Sequence, residues 1–325
     1  MNQRRWNLTR WPLLGMLALF TSFACKGTGD GAEVALATPR PITVAAPTLA
    51  ADKPADYPGL HNVVAYTDGL YSGSQPEGPG LETLANMGIR TIVSVDGATP
   101  DVETAKALGI RYVHLPIGYD GIDEARKLEL ARACRDLPGP MYVHCHHGKH
   151  RSAGAAAAMA IGLGKLNSEQ AAARMKVSGT APDYKGLWAC ASDTRVASEE
   201  QLAAASASFP SRWKTTGLVQ GMVSIDESLE HVKEIEKAQW KTPAAHPDLV
   251  PAAEVGRIAH VLRELEDDSE VKQKPADFLA MLKASTAAAE ALEKGILDGA
   301  SVADLGAKMK ALNQSCKDCH GPYRN

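Results

Sequence analysis

The sequence VHCHHGKHRSAG, residues 143–154, decides how the first half of the chain folds. Within it, five residues separate Cys145 from Arg151. The short apolar run 140–143 predicts a buried strand, and the Ala-rich stretch 153–163 predicts a helix. The loop therefore lies between a strand end and a helix N-terminus, where unpaired backbone N–H groups and the helix dipole favour negative charge.

This loop has the composition needed to hold a tetrahedral oxyanion over a thiolate. A helix N-terminus stabilises a cysteine thiolate at neutral pH, and the thiolate is the nucleophile. Arg151 supplies a planar fork for two oxygens of a phosphoryl group. A buried cysteine near an arginine would mean little alone, but His144, Gly148 and Ser152 complete the same geometry.

The pattern resembles the cysteine-dependent protein tyrosine and dual-specificity phosphatases, an α/β fold with a central sheet flanked by helices. The resemblance covers residues 60 to about 195, and the stretches 60–76 and 88–96 are similar to that family's opening strands. It implies no metal at this site. The catalytic residues it implies are Cys145 as nucleophile, Arg151 for phosphate binding, Ser152 for departure of the cysteine and His144 for loop orientation.

The family also uses a general acid from a mobile loop upstream of the nucleophile strand. The candidates lie in LPIGYDGIDE, residues 115–124. Asp120 precedes Gly121 in a predicted turn, where a loop carboxylate can swing over a substrate. Asp123 starts a predicted helix, so capping is its ordinary role. We expect Asp120 to be the general acid, with Asp123 as the alternative.

The loop is rich in cationic and protonatable side chains. The run 148–151, GKHR, resembles the plant and fungal atypical dual-specificity phosphatases, which act on inositol polyphosphates and pyrophosphates. Extra cations near the site favour a substrate with more than one phosphate, unless these side chains only face solvent. The expected partner is a phosphorylated protein or a polyphosphorylated small molecule. The predicted substrate-binding residues are His146, His147, Gly148, Lys149 and His150.

A second motif, CKDCH at residues 316–320, lies near the end of the sequence. Two thiols three residues apart share one helix face, and a histidine directly after them reaches an iron, as in c-type haem attachment. An apolar stripe along 302–319 directs both thiols toward a core. A redox pair or a zinc site is the alternative, but the sequence has neither a preceding strand nor a second cysteine pair. We expect one covalent haem c on Cys316 and Cys319, with His320 on the iron.

Three more amphipathic helices are predicted before this motif, over 214–239, 251–266 and Ala276–Leu297. Four helices with the haem motif on the last one resemble the class II cytochromes c, the cytochrome c-prime group, over about 209–325. An all-α four-helix bundle is therefore expected.

The same resemblance makes His320 the proximal haem ligand. Some members leave the opposite side of the iron open, and others use a methionine from the first helix. Met222 is the matching candidate for a sixth ligand, with ordinary core packing as the alternative. His260 is a weaker candidate, for which the role of an ordinary helix histidine is favoured over ligation.

The N-terminus predicts export. Basic residues precede the apolar run 11–24, which is too short to cross a bilayer comfortably, and 1–25 is predicted to be a signal peptide. It ends at Cys25 as in a bacterial lipoprotein, although an ordinary signal is the alternative. Residues 26–54 predict a flexible tether. Export suits haem attachment, so we expect a periplasmic protein, membrane-anchored if Cys25 is acylated.

The 325 residues are enough for two domains, predicted at 55–199 and 200–325. A net charge of −3 gives no indication of nucleic acid as a partner. Cys134 and Cys190 are left without a role, and a disulfide, protection of Cys145 or simple free thiols are all open.

The function predicted is an exported phosphomonoesterase fused to a haem domain for electron transfer, with a redox partner, or for redox or gas sensing. One alternative is a haem protein whose phosphatase-like domain only binds anions. Another is sulfur or redox chemistry at Cys145, as in rhodanese-like domains. The segment 197–208 between the two predicted domains has the composition of an exposed connection or short helix. The sequence shows no element shared by the phosphatase and haem sites, so weak coupling between them, or none, is expected.

Overall fold

The computed structural model describes residues 41–214, 217–246 and 249–323. The predictions of a signal peptide, of lipidation at Cys25 and of most of the tether lie outside these ranges. The described residues all belong to one compact unit. Within them, no helix is both long enough and apolar enough to cross a membrane.

A mixed sheet of six strands forms the centre of the first part, in the order β1-β2-β3-β6-β4-β5. The first three strands pair antiparallel, and β3, β6, β4 and β5 run parallel. Strand β6 lies between two parallel neighbours and is wholly buried. The strands are β1 (Ala55–Tyr57), β2 (Leu60–Thr67), β3 (Leu70–Ser74), β4 (Thr91–Ser94), β5 (Arg111–His114) and β6 (Met141–Cys145).

Both faces of this sheet carry apolar cores, because successive strand residues point to opposite sides. Val113 and Val143 enter one core, whereas their neighbours Tyr112 and Tyr142 enter the other. Seven helices surround the sheet: α1 (Gly80–Asn86), α2 (Val102–Ala107), α3 (Glu124–Asp136), α4 (Arg151–Gly162), α5 (Ser168–Val177), α6 (Lys185–Ser192) and α7 (Glu199–Ala204).

Helix α4 is the central helix of this part, and every one of its residues is buried. Its run of alanines and glycines allows close packing against α3, α5 and α6, and alanine is also the strongest helix former. The predicted strand–loop–helix order around Cys145 is therefore confirmed, with the helix starting two residues earlier than predicted.

Four long helices form the second part, with a separate apolar core. They are α8 (Leu218–Lys237), α9 (Pro251–Asp267), α10 (Ala276–Leu297) and α11 (Val302–Tyr323), with a 3₁₀ turn at Val271–Gln273. Helix α9 packs against α8 and α10, and α10 packs against α11. Pro251 begins α9 at the predicted position, where its missing N–H costs nothing. The predicted fold class, an α/β part followed by helices, is confirmed.

The two parts meet along α9, which differs from the expectation that no element serves both. Val250 and Ala253, at the start of α9, belong to the core of the α/β part. Further along the same helix, Val255 and Leu262 belong to the core of the bundle. The sequence pattern shows only one apolar stripe, because the contacts that α9 makes with the α/β part are mostly polar.

Candidate active site and haem site

The loop between β6 and α4, here called the phosphate loop, is held by hydrogen bonds that its carbonyl groups accept from residues outside it. The carbonyl oxygen of His146 accepts from the Gln75 amide (3.2 Å). Those of Gly148 and Lys149 accept from the side chains of Asn62 (2.9 Å) and Thr180 (2.7 Å). Among the described residues, no acceptor is found for the amide groups of 147–150. Such a ring of free N–H groups is an anion site.

Gly148 is required at its position in this loop. Its φ of +74° lies in the left-handed region. A Cβ placed there would lie 2.3 Å from the backbone nitrogen of Ser74 on the neighbouring strand. The loop therefore packs directly against β3, and only glycine allows this approach.

Cys145 ends β6 at the base of the loop and is only 3 % exposed. Its thiol donates a hydrogen bond to Oγ of Ser152, 3.4 Å away on the first turn of α4. The hydroxyl of Ser72 approaches the same oxygen at 3.2 Å. Ser152 is therefore placed to interact with the sulfur as predicted from the sequence.

His144 precedes the cysteine and is buried in the sheet. Its Nε2 lies 2.7 Å from the hydroxyl of Tyr112. Burial lowers the pKa of His144 to about 4, so the ring is neutral at physiological pH. This neutral ring, fixed by one hydrogen bond, supports the strand end that carries Cys145.

Arg151 begins α4 and is 1 % exposed. Its Nη2 donates to Asp96 at 2.6 Å, and its Nη1 donates to Nδ1 of His260 at 2.7 Å. The ring of Tyr119 lies 4.4 Å from the guanidinium carbon. Its Nε has no partner among the described residues. The predicted phosphate-binding group is thus present, but its fork is engaged by protein groups.

Asp96 follows β4 and accepts from several donors at once. Besides Arg151, the amide of His146 donates to it at 3.1 Å, and Arg263 approaches at 3.3 Å. Burial acts to raise the pKa of this carboxyl, but Arg263 and Arg151 outweigh it and hold the pKa well below its ordinary value. The Asp96 carboxylate therefore engages a loop amide and the Arg151 guanidinium, two donors suited to phosphate.

The two general-acid candidates have different surroundings. Asp123 accepts a hydrogen bond from the amide of Arg126 at 2.8 Å and caps α3, as its ordinary role predicts. Asp120 is exposed and forms an ion pair with Arg257 of α9. Asp120 thus has no capping duty and stays the predicted acid.

The loop's histidines contribute less positive charge than the sequence suggests. Burial, followed by Arg151, lowers the pKa of His150 to about 3, and its ring packs on Tyr184 at 4.1 Å. Burial and Arg263 also lower the pKa of His146. Both rings are therefore neutral at pH 7, whereas the Lys149 side chain is exposed at the rim.

A few residues that build this site were missed from the sequence. Asp96 could have been found, because an aspartate two residues after a buried parallel strand lies at the sheet edge where Cys145 also lies. The others come from loops and helices whose approach only the tertiary fold reveals. The missed residues are Asp96, Tyr119, Arg257, Arg263 and Glu293.

An apolar cavity of about 550 Å³ lies in the bundle, and the haem motif faces it. Cys316, Cys319 and His320 all line its wall, as does Met222 from α8. Two thiols and an imidazole on one wall of an apolar cavity fit the covalent haem predicted from the motif. Met222 is placed in the same cavity, so its role as a sixth ligand stays a prediction.

His260 is not a haem ligand in this fold. Its ring points away from the cavity and lies against Arg151. The weak sequence prediction for His260 is therefore wrong, because a helix stripe does not show which neighbour covers it. Cys134 and Cys190 are both free thiols. No group of three His, Cys, Asp or Glu side chains that could hold a metal ion is found among the described residues.

Comparison with known proteins places the two parts separately. Residues 259–324 match the family model for Cytochrome C', which implies haem binding. None of the curated proteins matches the chain. The chain therefore carries a cytochrome c-prime-like helical part after its α/β part.

Among solved structures, P. aeruginosa TpbA is 24% identical, with 48% of this chain and 96% of that chain covered and a TM-score of 0.38. TpbA (a variant in complex with pTyr) is 25% identical, with coverage of 46% and 91% and a TM-score of 0.35. A mouse structure described as a dual specificity phosphatase is 21% identical, with coverage of 45% and 92% and a TM-score of 0.34.

Proposed function

We propose that this chain is a phosphomonoesterase that uses Cys145 as its nucleophile and carries a covalent haem c in its helical bundle. One observation supports the phosphatase most strongly. The Cys145 thiol lies at the base of a loop whose amides have no acceptor among the described residues, 3.4 Å from a serine hydroxyl and beside Arg151.

In the first step, the Cys145 thiolate attacks phosphorus and the bond from phosphorus to the leaving oxygen breaks. Asp120 gives its proton to that oxygen. The loop amides and the Arg151 guanidinium stabilise the charge that builds on the phosphoryl oxygens. The products of this step are an alcohol and a phosphocysteine.

In the second step, water attacks the phosphocysteine and the bond between sulfur and phosphorus breaks. Asp120 takes a proton from the water, which restores the acid for the next cycle. Ser152 donates a hydrogen bond to the departing thiolate. Phosphate leaves, and Cys145 returns to its starting form.

The substrate class follows from the charges around the loop. A phosphorylated protein or a polyphosphorylated small molecule would both place one phosphate over Cys145. Lys149 is exposed at the rim and is free to approach a second phosphate. We therefore include inositol polyphosphates among the proposed substrates. Lys149 supports this proposal, whereas the neutral rings of His146 and His150 do not.

For the bundle, we propose that Cys316 and Cys319 attach the haem and that His320 binds its iron. When bound, haem supplies one-electron redox chemistry and a site for small gaseous ligands. Export, the periplasmic location and a lipid anchor at Cys25 are part of the same proposal, since covalent haem attachment occurs outside the cytoplasm.

Hydrolysis of an aryl phosphate by the purified chain tests the phosphatase. We expect turnover in the wild type, inhibition by vanadate and no turnover in Cys145→Ser. Cys134→Ala is the matched control, because that thiol is half-buried in α3 and is not part of the loop. Turnover in Cys145→Ser equal to that of the wild type would contradict the mechanism.

A further inference from the structure

We infer that helix α9 of the bundle is a clamp that holds the phosphatase site closed, and that turnover requires its withdrawal. The inference rests on the proposed phosphatase function, because it concerns the regulation of that site. It is carried by three side chains of α9 that reach three different parts of the catalytic apparatus: Arg257, His260 and Arg263.

His260 covers the phosphate-binding arginine. Its Nδ1 accepts the hydrogen bond from Arg151 at 2.7 Å. Its ring lies so close to Gly97 that a Cβ there would be 2.6 Å from the ring carbon Cε1. A substrate phosphate has to displace His260 from the Arg151 guanidinium before it can bind there.

Arg263 reinforces the closed state through Asp96. Its Nη2 lies 3.3 Å from the Asp96 carboxylate that Arg151 also holds, and its Nη1 pairs with Glu290 of α10 at 2.9 Å. The carboxylate thus bridges an arginine of the loop and an arginine of the bundle. Both Arg151 and Asp96 are almost wholly buried. Releasing one partner alone would leave a buried charge without its counter-charge, which is costly.

The loop that carries the general acid is held by the bundle as well. Arg257 pairs with Asp120, and Glu293 of α10 accepts from the hydroxyl of Tyr119 at 3.4 Å. Glu293 also approaches His147 of the phosphate loop at 3.5 Å. An aspartate engaged by an arginine of another element is not placed to protonate a leaving oxygen. The clamp therefore keeps both Arg151, which binds phosphate, and Asp120, the acid, from contacting the substrate.

Helix α9 also forms a wall of the haem cavity, through Ile258 and Leu262. A helix turns by about 100° per residue, so these two residues lie on the side opposite to His260. The two sites are thus separated by the width of one helix, about 10 Å. Coupling between two sites requires an element with two arrangements whose balance both sites bias, and α9 contacts both sites. A displacement of α9 at the haem cavity would act directly on the clamp.

Three variants of the full haem-containing chain test the clamp. Arg257→Ala and His260→Ala each remove one contact. Gly256→Ala removes none, but its Cβ would lie 2.7 Å from Glu293 Oε1 and 2.8 Å from the Tyr119 hydroxyl, so these two buried side chains have to shift away from α9. Alanine is also the better helix former, so α9 itself is preserved.

The control is Lys233→Ala, whose exposed ion pair lies within α8. The readout is the rate at which iodoacetamide alkylates Cys145, mapped by mass spectrometry, beside vanadate binding and aryl phosphate turnover. The haem absorbance spectrum reports that each variant is folded. We expect alkylation to be at least about fivefold faster in the three release variants and unchanged in the control.

Equal alkylation rates in the wild type and all three release variants would overturn the clamp, whatever the turnover. Faster alkylation with no turnover in any variant would leave the clamp in place and refute the proposed phosphatase function instead. The two failures are therefore distinguishable.

The connection to the haem cavity is tested on the wild type by alkylating Cys145 with the haem ferric, ferrous, and ferrous with carbon monoxide. We expect the rate to differ by about threefold or more between at least two of these states, and the difference to be lost in Gly256→Ala. Equal rates in all three states would overturn the connection through α9.

Discussion

Nη1 of Arg151 donates a hydrogen bond to Nδ1 of His260, and this fixes the protonation state of the histidine. A guanidinium has only donors, so Nδ1 must be the acceptor and any ring proton must lie on Nε2. His260 is therefore neutral in the closed site. A second proton on this ring would break the hydrogen bond and place a cation against the guanidinium.

The first prediction is that acid opens the clamp. Burial lowers the pKa of His260 to about 3; Arg151, Arg263 and His114 add to this effect, and Asp96 opposes it. Once released to water, the ring regains a pKa of about 6.5. Between these values the open state binds more protons than the closed state, so opening is favoured as the pH falls below about 6.5 and is unaffected above it.

The measurement is the ratio of Cys145 alkylation rates in the wild type and in His260→Ala at each pH. The ratio cancels the change in thiolate fraction that both proteins share. We expect it to be flat above about pH 7 and to rise at least about threefold toward pH 5. A ratio that stays flat over the whole range would show that His260 does not hold the site closed.

The second prediction concerns the general acid. Asp120→Asn will lower turnover more than Asp123→Asn, and the loss will shrink for substrates with good leaving groups, which need less protonation. Asparagine caps helices as well as aspartate does, so Asp123→Asn keeps α3 intact and is a matched control. Steady-state kinetics with a series of aryl phosphates decides it. A larger loss in Asp123→Asn would assign the acid to that residue.

The third prediction distinguishes two costs of replacing glycine in and near the phosphate loop: backbone strain at positive φ, and a steric clash of the new Cβ with neighbouring backbone. Gly148 and Gly179 both have positive φ, but only a Cβ at 148 would meet neighbouring backbone. Gly179→Ala is expected to cost about 1–2 kcal/mol of folding free energy from backbone strain alone. Gly148→Ala is expected to cost more and to abolish vanadate binding. Urea unfolding and vanadate titration measure both effects, and equal unfolding costs would contradict the tight packing of the loop on β3.

The sequence predicts the local structure around the two motifs better than it predicts how the two parts of the chain pack together. Local signals are strong around Cys145 and around Cys316, because a strand–loop–helix order and a helical stripe depend on neighbouring residues. Helix α10 has the predicted bounds for the same reason. The N-cap role of Asp123 is equally local and is confirmed.

The contacts between α9 and the phosphate loop could not be predicted. His260 and Arg263 lie over a hundred residues from the groups they meet, and nothing in a helical pattern shows which surface covers its polar face. Pairing of an arginine with a carboxylate has no sequence periodicity. Weak coupling between the phosphatase site and the haem site was expected because the sequence carries no local signal of these contacts. The proposed clamp predicts the opposite, a coupling through α9.

The fourth prediction is that the chain, expressed with haem maturation machinery, carries one covalent haem. Replacing Cys316 and Cys319 together by alanine will abolish it, because both thiols lie on the wall of the cavity. Mass spectrometry of the denatured protein decides this, with Cys134→Ala as the control that keeps the haem. A wild-type mass without the haem increment would refute covalent attachment.

The central claim is that Cys145 forms a covalent bond to phosphorus during turnover. Rapid acid quenching of the chain with an aryl phosphate, followed by peptide mass spectrometry, tests this directly. The His260→Ala variant is examined beside the wild type, so that a closed site does not hide the intermediate. The account predicts a phosphate adduct on the peptide that contains Cys145. Release of phosphate with no adduct on Cys145, or with an adduct on another residue, would contradict it.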